Sequence, residues 1–92
     1  MAWVYILECK NGAFYTGSTP NLERRVAQHN AGEGSNFTAI RRPVELVFSY
    51  EVERIDEAFY LERQVKGWRR EKKMALIRGD YEALVELADA RR

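Results

Sequence analysis

One turn constrains this chain more than any other feature. Lys10-Asn11-Gly12 separates two short runs rich in aromatic and β-branched residues, Trp3 to Cys9 and Ala13 to Gly17. Each run is too short for a helix, and Asn-Gly between them is a strong hairpin signal, so the chain begins with paired antiparallel strands. Two loop lengths are open. A two-residue Asn-Gly loop pairs Lys10 with Ala13 and sends Tyr5 and Tyr15 to opposite faces of the sheet. A three-residue loop, with Gly12 in the left-handed conformation of a bulge, pairs Cys9 with Ala13 and puts both tyrosines on one face. The local sequence allows either.

After the hairpin, Thr19-Pro20 reads as an N-cap followed by proline at the first helical position. Asn30-Ala31-Gly32 reads as a stop, which predicts a helix over Pro20 to Asn30 with Leu22 and Val26 as its apolar stripe. Arg25 and His29 are four apart and flank that stripe. A polar, Gly-containing loop from Gly32 to Arg42 ends at Pro43. Val44, Leu46, Phe48, Tyr50 and Val52 then alternate with polar residues as a third strand, broken only by Val47. Asp56 is expected to cap a helix with Ala58, Leu61, Val65 and Trp68 on its apolar face, and Gly67 predicts a kink. Met74, Leu76 and Ile77 continue helically to Gly79. Asp80 is expected to cap a C-terminal helix over residues 80–90 bearing Leu84, Leu87 and Ala88.

With 92 residues, 46% of them hydrophobic, the chain has enough for one core and too few for two. We therefore read residues 1–92 as one domain with its core in 1–78. The first apolar run is broken by Glu8 after six residues, and no segment reaches the roughly 20 apolar residues of a membrane span, so a cytoplasmic protein is expected. Cys9 is the sole cysteine, which excludes an intrachain disulfide and a cysteine-based zinc site. Net charge is +1, so any affinity for nucleic acid must come from charge distribution. Arg63, Lys66, Arg69, Arg70, Lys72, Lys73 and Arg78 are opposed in their own stretch by Glu71 alone, whereas Asp80, Glu82, Glu86 and Asp89 make the tail acidic. Such a basic run is also what a plain solvated helix face looks like.

Taken one at a time, the remaining candidates have ordinary explanations. Tyrosines are common in strands, Arg25 resembles its neighbour Arg24, and a histidine at a helix end complements the dipole. Glu62 is harder to dismiss. A carboxylate between Leu61 and Val65 on an apolar stripe needs a cation, a donor or a metal.

In combination these residues resemble the GIY-YIG nuclease superfamily, and within it the small stand-alone UPF0213 (YhbQ-like) proteins. Trp3-Val4-Tyr5 stands at the first motif and Tyr15-Thr16-Gly17 at the second. Leu22-Glu23-Arg24-Arg25 carries the arginine, Gln28-His29-Asn30 the histidine turn, and Glu62 falls at the family glutamate. "RRPVEL" at Arg41 to Leu46 also looks like this subgroup. The likeness runs to about Ile77. Trp3 and Thr16 replace the motif glycine and isoleucine. No asparagine follows Asn36, although many members place one late in the domain; Lys66 or Arg69 could take its role.

The resemblance implies an α+β fold: a three-stranded antiparallel sheet flanked by helices, with both tyrosines in one site. The three-residue turn is therefore expected. It also implies a metal-dependent DNA endonuclease in which Tyr5, Tyr15, Arg25, His29 and Glu62 are catalytic. By that analogy Tyr5 takes a proton from water with His29 drawing off its own, and Tyr15 orients the water or a phosphoryl oxygen. Arg25 grips the scissile phosphate, and Glu62 holds one Mg²⁺, with Mn²⁺ as substitute. Arg41, Arg42, Arg63, Lys66, Arg69, Arg70 and Lys73 are expected to contact nucleic acid, with Phe37, Tyr60 and Trp68 available to stack bases. One short basic strip suits single-stranded or branched DNA better than a long duplex, and repair or recombination is a fitting role. A catalytically inactive nucleic-acid-binding module of the same fold is the alternative, and an interaction domain using the acidic tail is a third.

Overall fold

The computed structural model describes residues 1–83. The hairpin forms as β1 (Ala2–Cys9) and β2 (Phe14–Thr19). Its turn is the three-residue one. Cys9 N donates to Ala13 O at 2.8 Å, Gly12 N donates to Cys9 O at 2.8 Å, and Gly12 has φ of 85°. This left-handed conformation costs glycine little and other residues about 1–2 kcal/mol. In the resulting register Tyr5 lies opposite Gly17 and Leu7 opposite Tyr15, so both tyrosines share a face.

The third strand, β3 (Val44–Val52), pairs antiparallel with the other side of β1, giving the order β2-β1-β3. Its pairing shifts between Ile6 and Leu7. Ile6 faces Phe48, but Leu7 faces Leu46, leaving Val47 as an extra residue. This bulge corrects the expectation of one continuous apolar face. Val44 and Leu46 lie on the Tyr5 side, whereas Phe48, Tyr50 and Val52 lie on the other.

Each face carries its own helices. On the Tyr5 side, α1 (Leu22–Asn30) packs Leu22 and Val26 against a core of Tyr5, Leu7, Cys9 and Val44. Leu7 is fully buried, which stabilises by about 1.5–3 kcal/mol. Asn30 closes this layer: its side chain accepts from Val44 N at 2.8 Å and donates to Val44 O at 3.1 Å. On the opposite face, α3 (Ile55–Lys66) buries Ala58 and Val65, and Leu61, Val65 and Trp68 line an apolar cleft with Val4 and Phe48. The last described full helix, α4 (Arg70–Arg78), ends at Gly79, and Asp80 Oδ1 accepts from Ala83 N at 3.1 Å as the expected cap. Leu84, Leu87 and Ala88 lie outside the described residues.

The helices differ from expectation at four points. The first helix starts later, because Asn21 Oδ1 accepts from Arg24 N at 3.1 Å while Thr19 ends β2 and its hydroxyl accepts from Asn21 N. The 32–42 loop contains a single helical turn, α2 (Asn36–Ala39), capped by Ser35. Asp56 lies inside the first turn of α3, paired with Arg54 at 3.0 Å, and the cap position is Arg54. Gly67 ends α3 outright; with Trp68 and Arg69 it separates α3 from α4. Among the described residues, no helix is long and apolar enough to cross a membrane.

Candidate active site

Tyr5 projects from the central strand toward β2, and Gly17 lets it pass. A Cβ on Gly17 would stand 2.6 Å from Tyr5 Cζ, so any side chain there would displace the phenol. Beyond the glycine, the Tyr5 hydroxyl meets His29 Nε2 at 2.9 Å. Both residues are buried, Tyr5 to 1% exposure and His29 to 0%. Tyr15, two residues before Gly17, brings its ring to 5.0 Å from the imidazole and 6.4 Å from the Tyr5 ring, centroid to centroid.

The Arg25 guanidinium lies beside the Tyr5 hydroxyl and close enough to His29 to influence both. Arg25 is half-buried, whereas Arg24 is exposed, which separates two arginines that composition cannot. Burial pushes the Tyr5 phenol well above the ordinary tyrosine range, with Tyr15 and Glu62 adding to the rise and Arg25 opposing it. Burial, and secondly the Arg25 charge, hold His29 below the usual imidazole value. At neutral pH the pair is therefore a neutral phenol against a neutral imidazole.

Glu62 arrives from the other side of the sheet. Ser18 lies one residue past Gly17 on β2 and so faces α3, where its hydroxyl donates to Glu62 Oε1. Lys66, one helical turn along, pairs with Glu62 Oε2 at 2.6 Å and holds its ammonium 5.9 Å from the Tyr15 ring centroid. The five residues singled out by motif thus come from both faces and meet around the edge of β2. Tyr5, Tyr15, Arg25 and His29 form one group, and Glu62 stands beside it on Ser18 and Lys66.

Glu62 is the carboxylate that could hold a divalent cation here; Ser18 fixes one oxygen, while Lys66 occupies the other and would have to yield it. Among the described residues, no three His, Cys, Asp or Glu side chains gather to hold an ion. An ion at Glu62 would therefore need water and a substrate phosphate for its other ligands.

The expected nucleic-acid contacts are spread unevenly. Burial, and then the Lys66 charge, lower the Lys73 ammonium from its usual value. Arg70 stacks on Phe14 at 4.3 Å, and Arg63 and Arg69 are exposed. Arg41 stacks on Phe37 at 3.9 Å and donates to Phe37 O, while Tyr15 lies across from the same ring at 6.1 Å. Phe37 is thus already engaged by its neighbours. Arg42 donates to Ala39 O at 2.8 Å and serves the loop. Trp68 is half-buried in the α3 cleft, with Lys72 over its ring, while Tyr60 is exposed.

Sequence reasoning did not single out Ser18, Gly34 or Thr38. Strand alternation from Tyr15 and Gly17 places Ser18 on the opposite face and could have found it. Thr38, buried to 0%, meets His29 Nδ1 at 2.8 Å. It sits in a four-residue helix with no periodicity to reveal it.

The sheet order, the paired tyrosines and the arginine–histidine helix are those of a GIY-YIG domain, and residues 1–75 match the family model described as the GIY-YIG catalytic domain. This chain belongs to that family, whose superfamily is one of nucleases. Within it, the chain is a UPF0213-type protein by its relatives. It is 41% identical over 75 residues to a UPF0213 protein of Staphylococcus saprophyticus, covering 82% of this chain and 92% of that one. A UPF0213 protein of Staphylococcus haemolyticus is 43% identical over the same length and coverage. A solution NMR structure of a UPF0213 protein from Bacillus halodurans is 40% identical, with a TM-score of 0.55 over 95% of this chain and 97% of that one.

Proposed function

We propose that this protein is a metal-dependent DNA endonuclease that hydrolyses phosphodiester bonds in single-stranded or branched DNA. The observation that carries this reading is the buried contact between the Tyr5 hydroxyl and His29 Nε2, with the Arg25 guanidinium beside it. A nucleophilic water hands its proton to Tyr5 Oη as Tyr5 passes its own to His29 Nε2, so no free phenolate accumulates. Taken alone, the step from Tyr5 to His29 is uphill by about 5 kcal/mol for an unperturbed phenol near ~10 and imidazole near ~6.5, and burial widens the gap, so the proton moves in concert with attack of the water on phosphorus. A phosphate seated on Arg25 offsets part of this cost, because it cancels the charge that disfavours imidazolium. Arg25 neutralises the phosphoryl oxygens, and Tyr15 orients the water. Glu62 would hold Mg²⁺ or Mn²⁺, which supplies Lewis-acid stabilisation of the leaving 3′-oxygen.

Lys66 beside Tyr15 and Arg70 over Phe14 put cationic groups along β2, and Arg63, Arg69 and Lys73 in the same stretch of chain extend them into a strip short enough to favour single strands or junctions over long duplex. A cytoplasmic place in repair or recombination follows from that substrate class. The test uses end-labelled single-stranded, duplex, branched and RNA substrates with Mg²⁺ or Mn²⁺, alongside Arg25→Ala and Glu62→Ala. Cleavage of single-stranded or branched DNA that both variants lose is expected. Binding without cleavage under every condition would leave the inactive binding module as the better reading.

A further inference from the structure

The buried contact chain does not end at His29. The imidazole meets Tyr5 through Nε2 and Thr38 Oγ1 through Nδ1, at 2.9 Å and 2.8 Å. Thr38 Oγ1 in turn lies 3.3 Å from Ser35 O, to which it can donate, and 3.0 Å from Ser35 Oγ. Ser35 Oγ accepts from Thr38 N at 3.1 Å, so the single turn of α2 is built around this hydroxyl. Gly34 holds the ring from another side, since a Cβ there would stand 2.6 Å from His29 Cε1. The imidazole therefore has one position and two polar partners.

Proton accounting then selects a tautomer. If His29 carried its hydrogen on Nε2, that hydrogen would point at Tyr5 Oη, and the phenol's own proton would need another acceptor. Among the described residues the hydrogen-bond partner of that oxygen is His29; Tyr15 and Glu62 lie near without bonding to it, and Arg25 can only donate. A buried hydroxyl proton without an acceptor costs about 1–3 kcal/mol. With the hydrogen on Nδ1, every group is satisfied: Nδ1–H donates to Thr38 Oγ1, Thr38 O–H donates to Ser35 O, and Tyr5 O–H donates to Nε2.

We propose that Thr38 is a positioning residue that locks His29 in the Nδ1–H tautomer, leaving the Nε2 lone pair aimed at the Tyr5 hydroxyl. A hydroxyl does here, without charge, what a carboxylate does in other histidine-containing sites: it fixes ring and tautomer through the nitrogen remote from the chemistry. Because Thr38 is neutral, it adds no charge that would favour imidazolium. The catalytic meaning rests on the function proposed above, while the tautomer itself does not.

The protein has one histidine, so its imidazole signals need no assignment. Long-range ¹H–¹⁵N correlation spectra of ¹⁵N-labelled protein should show the Nδ1–H tautomer in the wild type and in Thr38→Ser. In Thr38→Val, which keeps the shape and removes the acceptor, the Nε2–H tautomer should become substantially populated. On DNA, Thr38→Val should lower kcat about 10²-fold at little changed KM, with Thr38→Ser recovering most of the loss. An Nε2–H tautomer in the wild type would overturn the proposal, even if Thr38→Val proved too unstable to purify. So would a folded Thr38→Val protein whose tautomer is unchanged. If the tautomer behaves as expected and no substrate is cut, the lock stands and the nuclease function falls.

Discussion

Tyr5 and Gly17 face each other across the β1–β2 ladder, and the phenol of one occupies the space a side chain on the other would need. Gly17→Ala should therefore displace the Tyr5 hydroxyl from His29, lowering stability by about 1–3 kcal/mol and cleavage by about 10²-fold or more. Gly12→Ala is the control. Nothing lies within 4 Å of a Cβ there, and the cost comes from its φ of 85°. It should lose about 1–2 kcal/mol and keep its cleavage rate below the melting transition. Urea unfolding and single-turnover cleavage on both variants check this.

His29 predicts a pH dependence of stability. Its imidazole is held below the usual value in the folded state, by burial and then by Arg25. Below about pH 6.5 the unfolded chain therefore binds the proton more readily than the native one. Stability is fully present above that pH and falls as acid is added, by at most about 1.4 kcal/mol per pH unit until the folded histidine also titrates. Unfolding free energies measured between pH 8 and 5 should show this slope, and His29→Gln should remove it. Carboxylates begin to contribute only below about pH 5.

Lys66 and a metal ion would compete for Glu62. The ion pair spans 2.6 Å, with the lysine side chain half exposed, so it is worth no more than about 1 kcal/mol. Lys66→Met should tighten Mn²⁺ binding by up to about 5-fold, read by electron paramagnetic resonance without any nucleic acid. The same variant should bind DNA more weakly. Glu62→Gln should abolish the Mn²⁺ response, and metal-stimulated cleavage that persists in it would refute the assignment.

Thr16 stands where the second motif usually carries isoleucine, and it keeps a cost. It is 3% exposed, and its hydroxyl has no hydrogen-bond partner among the described residues. Thr16→Val removes that oxygen at nearly constant volume. It should raise stability by about 1–2 kcal/mol while leaving cleavage unchanged, measured by thermal unfolding and a nuclease assay.

The parts of this fold legible in the sequence are those with local chemistry. Asn30-Ala31-Gly32 ended α1, and Glu62 on an apolar stripe declared a polar need that Ser18 and Lys66 meet. Local sequence left the hairpin register open, and the family resemblance chose the turn that Cys9 and Ala13 adopt. What stayed hidden depends on partners distant along the chain. Thr19 and Asn21 are both good caps, and the end of β2 decided between them. Thr38 acquires meaning only when α2 folds against His29, nine residues earlier.

Val47 shows how much one residue far from any proton transfer can hold. Because it is surplus to the ladder, β3 serves two layers, with Val44 and Leu46 beneath α1 and Phe48 and Tyr50 beneath α3. Deleting that one codon would remove the offset and turn one half of the strand inside out relative to the other. At this position the requirement is on the length of the chain more than on the identity of the amino acid. Homologues should therefore vary freely in which residue stands at 47 and hardly at all in whether one stands there.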